Sequence, residues 1–374
     1  MKRGFWVFFV TLAAVFFCQQ ATAQSFGGIY CRTEFECYQL LSIFEPCPGQ
    51  IVKSCDAPPE PTPTPTPVVA LLMARQVPVT FPDPGHPTFW YGGSVALEAG
   101  TYTMWVTVND AILRFTSNDG VSWSGGRRVL EATAAWEDDG RGVDIFDGYQ
   151  YGVSNASVLK LPCGYVMGYT AGPAKNTETR GGVGLAYSTD GVIWTKDERN
   201  PIFSTIGGET YALSAVSVGA INYLYFSTTG TPAGMESGNY RMMLDSAGRP
   251  LPVYPEKLHY SDRAYPLAWD ASGCWMIEQS DWGAAGPGVG TLYRGGDCFS
   301  KLGNEVGIID RAVSGHAANM LPFLVNRGPD GRFLGGPPFL FYSSGDTWAT
   351  WQLQAVSFVS RVLRKVIPRG TAAP

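Results

Sequence analysis

Two turns of one pattern constrain what this chain can fold into: Ser117-Asn118-Asp119-Gly120-Val121-Ser122-Trp123 and Ser188-Thr189-Asp190-Gly191-Val192-Ile193-Trp194. In each, the Asp side chain can reach amides of its own turn, Gly supplies a positive φ, and Trp packs the hairpin onto a sheet. A carboxylate engaged in this way reads as structural rather than catalytic. The strands leading to the second turn are also legible. Ser157–Leu161 and Tyr165–Thr170 flank a Pro162-Cys163-Gly164 turn, and Gly184–Ser188 follows. Short strands bounded by Gly, Pro, Asn and Asp indicate antiparallel sheet. One such meander cannot bury two faces by itself, so the chain must supply copies.

The copies are present. Blocks beginning at Ser94, Asn155, Ala215, Pro266 and Asn319 align with one another, and the turn pattern recurs between the first two. One four-stranded sheet per block, stacked radially, buries both faces and leaves only short edges. The predicted fold class is therefore all-β: a five-bladed β-propeller over residues 68–368. Charged residues make up only 16% of the chain and aromatics 13%, which suits a well-buried, turn-rich domain rather than a disordered one. A net charge of −5 leaves no basic footprint, so no nucleic-acid partner is expected.

Lys2 and Arg3 precede an apolar run from Phe5 to Phe17, and Ala21-Thr22-Ala23 follows. Residues 1–23 read as a secretory signal cleaved before Gln24, removing Cys18 with it. The run is short for a membrane span, which needs about 20 apolar residues. Cys31, Cys37, Cys47 and Cys55 fall in residues 24–57, a small module that an exported chain would staple with two disulfides in one of three pairings. Zinc is the rival reading, but there is no Cys-x-x-Cys and no neighbouring His. Residues 58–67, Pro-Pro-Glu-Pro-Thr-Pro-Thr-Pro-Thr-Pro, form an extended Pro/Thr linker, and residues 369–374 a tail. The expected location is secreted, extracellular or periplasmic. Cys274 and Cys298 fall in one block and can pair, leaving Cys163 free.

The repeats resemble the five-bladed propellers of glycoside hydrolase family 43 and its relatives in families 32, 62 and 130. The resemblance rests on Asn155-Ala156-Ser157-Val158 with Gly164-Tyr165-Val166-Met167-Gly168-Tyr169, on the turn at Ser188 followed by Asn200-Pro201-Ile202-Phe203, and on Gly315-His316-Ala317-Ala318-Asn319-Met320. It implies a central funnel entered by the first strand of each blade. It also implies an Asp of blade one as general base, an Asp of blade two tuning the acid, and a Glu of blade three as that acid. Two carboxylates are needed because one protonates the leaving oxygen while the other activates water.

The aligned slots depart from that pattern, falling on Gly92, Asn155 and Leu213. Asn155 can hydrogen-bond a sugar hydroxyl but cannot act as a carboxylate base. His316 alone keeps its family counterpart, a funnel-floor histidine; a buried structural histidine is the alternative. Acids on neighbouring loops form the candidate trio: Asp83 as base, Asp147 as modulator and Glu209 as acid. Each also reads as a turn residue or a solvated carboxylate. Trp90, Tyr211 and Tyr265, near blade openings, are candidate sugar-stacking rings, with blade packing as the alternative. No metal or cofactor is expected.

Two function classes follow. One is a secreted glycosidase-like enzyme acting on an oligo- or polysaccharide. The other is a non-catalytic glycan-binding or cell-surface propeller, favoured by the substitution at all three slots. A sialidase, suggested by the Asp-box turns, ranks last, because it needs an arginine triad and usually six blades.

Overall fold

The computed structural model describes residues 72–82, 90–137, 152–171, 180–206, 210–218, 221–228, 236–259, 264–279, 290–309, 318–345 and 352–360. The chain divides into two units, residues 1–67 and 68–374. The signal segment, the linker and the four cysteines expected to pair in residues 24–57 all lie outside the described residues.

Among the described residues, regular structure is entirely β and forms five sheets. The first strand, β1 (Leu72–Gln76), belongs to the last sheet. Blade one is β2 (Trp90–Glu98), β3 (Thr101–Val108), β4 (Ala111–Ser117) and β5 (Ser124–Leu130). Blade two is β6 (Val153–Leu161), β7 (Gly164–Ala171) and β8 (Arg180–Ser188), edged by β9 (Thr195–Lys196) and β10 (Phe203–Ile206). Blade three is β11 (Thr210–Val218), β12 (Ile221–Thr228), β13 (Gly238–Leu244) and β14 (Glu256–Lys257). Blade four is β15 (Ala264–Asp270), β16 (Gly273–Gln279), β17 (Gly290–Gly296) and β18 (Gly303–Ile309). Blade five is β19 (Ala318–Leu324), β20 (Phe339–Gly345) and β21 (Gln352–Ser360), completed by β1. All pairings within the blades are antiparallel.

The five inner strands touch in sequence, and β19 returns to β2, closing the ring. Each junction between blades has its own apolar cluster. Trp105 and Ile112 of blade one meet Val158 and Met167 of blade two; Leu159 and Phe203 meet Leu224 and Tyr240; Tyr225 meets Met276; Trp275 meets Tyr342 and Phe358; Phe341 meets Trp90 and Phe115. Alternation along a strand thus loads both faces with apolar residues, as a sheet packed between two others requires.

Closure is made by the start of the described chain. β1 lies antiparallel on β21, from Leu72 opposite Ser360 to Gln76 opposite Val356. The chain then crosses to blade one, where Thr80 N donates to Val121 O and Trp123 N to Thr80 O (3.0 and 2.9 Å). Phe81 settles between Trp90 and Phe341, ring centroids 4.9 and 5.9 Å away. Strands from opposite ends of a domain in one blade leave no open edge between first and last blade.

The two turns behave as their residues predict. Asp119 Oδ1 accepts from Val121 N, Ser122 N and Ser117 Oγ at 2.7–2.8 Å, and Asp190 Oδ1 accepts from Val192 N, Ile193 N and Ser188 Oγ at 2.8–2.9 Å. These donors, the amides of Ser122 and Ile193 foremost, hold both carboxyls below their ordinary range. The turns also join blades: Trp105 Nε1 of blade one donates to Gly191 O of blade two at 2.9 Å. Gly191, at φ 71°, presents no side chain to that indole. Blades three and four place an Asp at the same hairpin without the full pattern. Asp245 Oδ1 accepts from Ala247 N and Arg249 N, and Asp297 Oδ1 from Phe299 N, Ser300 N and Lys301 N. In blade four, Cys274 and Cys298 form a disulfide with Cα atoms 5.4 Å apart, and Cys163 is free and exposed.

One end of the ring is closed by residues 327–333, a strap between β19 and β20. It accepts an amide from each of four blades in turn: Leu97 N on Arg327 O, Lys160 N on Pro329 O, Ser217 N on Asp330 O and Trp269 N on Gly331 O, at 2.8–3.2 Å. These donors lie near the C-terminal ends of the inner strands. The strap therefore floors the ring, and the end where inner strands begin is its mouth.

Candidate functional site

The mouth is built from a backbone irregularity repeated in every blade. Each inner strand slips its pairing with the second strand near its own start: between Tyr91 and Gly93, Ser154 and Ser157, Tyr211 and Ser214, Pro266 and Ala268, and Met320 and Phe323. A bulge of this kind re-aims side chains, and such bulges recur beside active sites. Three bulged residues take left-handed backbone, Gly92 at φ 48°, Asn155 at φ 53° and Leu321 at φ 48°. Asn tolerates that region because its short polar side chain bonds locally. Leu does not, and a strained non-glycine residue marks a position that the surrounding fold holds in place.

Asn155 is the best-defined polar residue here. It is 5% exposed. Its backbone N donates to Thr107 Oγ1 of blade one at 2.9 Å, and its Nδ2 donates to Thr170 Oγ1 at 2.8 Å. Thr170 Oγ1 is in turn 2.9 Å from Ser154 Oγ. Among the described residues Asn155 Oδ1 has no hydrogen-bond partner, and it lies in the space a β-carbon on Gly92 would occupy. The two aligned slots of blades one and two therefore share one volume, filled by the amide. The burial of Asn155 also places the Asn155-Ala156-Ser157 sequon out of reach of glycosylation, which needs an exposed amide.

The remaining sequence-derived residues divide into two groups. Asp83, Asp147, Glu209 and His316 lie outside the described residues. By connectivity, Glu209 directly precedes β11, and Asp83, Asp147 and His316 fall in the segments leading into β2, β6 and β19. Tyr211 is the second residue of β11, opposite Ser227. Trp90 and Tyr265 are well described. Trp90, 4% exposed, packs on Phe81 and Phe115, with ring centroids 4.9 and 5.4 Å away. Tyr265, also 4% exposed, donates its hydroxyl to Pro322 O of blade five at 3.0 Å, and burial raises it well above the ordinary phenol range. Both rings join blades, the packing alternative that the sequence left open.

The threonines that hold Asn155 are not legible in the sequence. Thr107 and Thr170 are fully buried hydroxyls on second strands. A Thr within an apolar stretch of strand is the only signal, and it does not reveal a partner in the next blade. The role of Glu137, whose side chain is fully buried, is not legible either. Glu137 accepts from Thr133 N (2.7 Å), Ala134 N (3.0 Å), Tyr169 Oη (2.7 Å) and Lys196 Nζ (2.5 Å). Burial pushes Glu137 up, but the ammonium of Lys196, the amide of Thr133 and the Tyr169 hydroxyl outweigh it and hold the carboxyl below its usual range. A carboxylate so held is an anchor between blades and not a proton donor near neutrality. Among the described residues, no group of three His, Cys, Asp or Glu side chains could hold a metal ion.

Solved structures share the architecture. A family 117 glycoside hydrolase produced by the marine bacterium Zobellia galactanivorans matches with a TM-score of 0.50 at 12% identity, over 78% of this chain and 92% of that one. An endo-arabinase from Bacteroides thetaiotaomicron VPI-5482 matches with a TM-score of 0.50 at 12% identity, over 77% of this chain and 98% of that one. No protein-family model and no curated protein matches the chain. The class that fold and topology define is a five-bladed β-propeller, the architecture these two structures share. At these identities the likeness is one of fold, and fold alone does not assign chemistry.

Proposed function

We propose that the propeller is carbohydrate-active and engages an oligo- or polysaccharide at its mouth. The carrying observation is the ring of five bulges there, with left-handed backbone at Gly92, Asn155 and Leu321. It supports a shaped, pre-organised opening at the end where the chain enters each inner strand, opposite the strapped floor. The glycoside hydrolases that share the fold point to the same ligand class. In this reading Asp83, Asp147 and Glu209, on the segments entering blades one, two and three, supply base, modulator and acid, with His316 and Tyr211 beside them. Export is part of the proposal, resting on the signal-like residues 1–23 and on the cysteine spacing that follows.

A second reading, a glycan-binding propeller without hydrolysis, is favoured by one specific observation. The Asn155 amide fills the space that an acidic side chain at Gly92 would need, so the aligned base slot cannot hold a carboxylate. A panel of polysaccharides assayed for hydrolysis and for binding separates the two. The enzyme reading requires turnover that falls by about 10²–10⁴-fold in Glu209→Gln, the usual worth of a general acid. Binding without turnover in wild type establishes the second reading, and neither binding nor turnover removes both.

A further inference from the structure

A small cavity lies on the propeller axis, lined by residues of all five inner strands and by Arg327 of the strap. Its volume is about 20 Å³, room for one solvent-sized particle. Arg327 is only 3% exposed, and its guanidinium donates to Val95 O (3.4 Å), Val158 O (3.2 Å) and Ala215 O, one carbonyl from each of three blades. Those bonds use three of the five N–H donors that a guanidinium carries. Among the described residues no carboxylate forms an ion pair with it. Burial lowers its pKa to about 10 and the nearby charge of Asp330 offsets only part of that, so it stays charged at neutral pH. A buried cation with no carboxylate in direct contact is costly.

The rest of the lining offers donors. Ser94 Oγ accepts from Val158 N at 3.0 Å and Ser157 Oγ from Ala215 N at 2.7 Å, which leaves each hydroxyl its proton to give. Ser214, next around the ring and 7% exposed, lines the same cavity, and its hydroxyl makes no hydrogen bond to a side chain among the described residues. Tyr265 turns its hydroxyl away to Pro322 O, and Leu267 adds an apolar wall. A guanidinium and three serine hydroxyls around a one-particle space, with no acid among the described lining residues, form an anion site that repels a cation.

We propose that this axial cavity binds a halide ion, chloride under ordinary conditions, which neutralises Arg327 and ties the blades to the strap. The proposal is independent of the carbohydrate reading. It is tested with bromide. Crystals of the full chain soaked in sodium bromide should show an anomalous peak between Arg327 and Ser214. In solution, the melting temperature should rise saturably with chloride or bromide when gluconate replaces halide at constant ionic strength. Ser214→Ala, a one-atom deletion that leaves the strap and sheets intact, should raise the half-saturating halide concentration roughly tenfold, the loss of one charge-assisted hydrogen bond of about 1.5 kcal/mol. No anomalous peak, or a melting temperature that responds equally to gluconate and halide, overturns the proposal and leaves a water in the cavity. A half-saturation unchanged in Ser214→Ala also overturns it.

Discussion

The side-chain oxygen of Asn155 occupies the volume into which a β-carbon on Gly92 would project. One residue belongs to blade two and the other to blade one, and both sit on mouth bulges in left-handed backbone. Glycine is required at 92 for two reasons that add, backbone conformation and the neighbouring amide. Gly92→Ala should therefore destabilise the propeller by about 1–2 kcal/mol from backbone strain alone, and by more from the clash. Urea denaturation measures it. The double variant with Asn155→Gly should recover the clash and leave the strain, so the two changes should be non-additive. Strict additivity would mean that the side chains do not share this space.

The anchor at Glu137 makes a second test. Lys196→Met strands a buried carboxylate and should cost about 3–5 kcal/mol, while the pair Glu137→Gln with Lys196→Met should recover part of that loss. The folded-state pKa of Glu137 is lowered. Its contribution is therefore complete above the unfolded carboxyl value of about 4.3 and is lost as pH falls through the lower folded value. Asp119, Asp190 and Asp297 are also held low and act in the same direction. Thermal melts from pH 7 down to 2 should show stability declining below about pH 4 in wild type. In Glu137→Gln the decline should be shallower, and an equal slope in the two proteins would contradict this.

Closure by β1 predicts a sharp boundary. A chain beginning at Val68 keeps β1 and should melt cooperatively. A chain beginning at Val77 loses the five residue pairs of β1 with β21 and exposes the edge of β21. It should melt at a distinctly lower temperature and self-associate, as light scattering would register. Equal stability of the two chains would show that closure does not depend on β1.

How much of this was readable beforehand follows from which interactions are local. The Asp119 and Asp190 turns were legible because donor, acceptor and glycine sit within seven consecutive residues. The blade count followed because blocks of short strands bounded by turn residues recur five times, although the full turn pattern stands only in blades one and two. The partner of β1 was not legible, since β21 lies at the other end of the chain and a five-residue strand carries no mark of its mate. Arg327 was invisible for a chemical reason: its partners are main-chain carbonyls, which leave no trace in side-chain spacing. Trp90 and Tyr265 looked equally suited to a sugar or to a core. Each sits beside a bulge, where the two-residue alternation of a strand is broken and parity no longer tells which way a ring faces. The acids of the proposed site sit on the segments entering the inner strands, where sequence pattern carries least information.

In the proposed function the mouth, where the inner strands begin, is the place at which this propeller meets a carbohydrate. The most direct measurement is a crystal structure of the Glu209→Gln chain soaked with an oligosaccharide drawn from the polysaccharide that wild type retains best. Sugar density is expected at the mouth, beside Gly92 and Asn155. Density confined to the floor, such as the cleft of about 670 Å³ beside Trp275, Arg294 and Phe333, would contradict it.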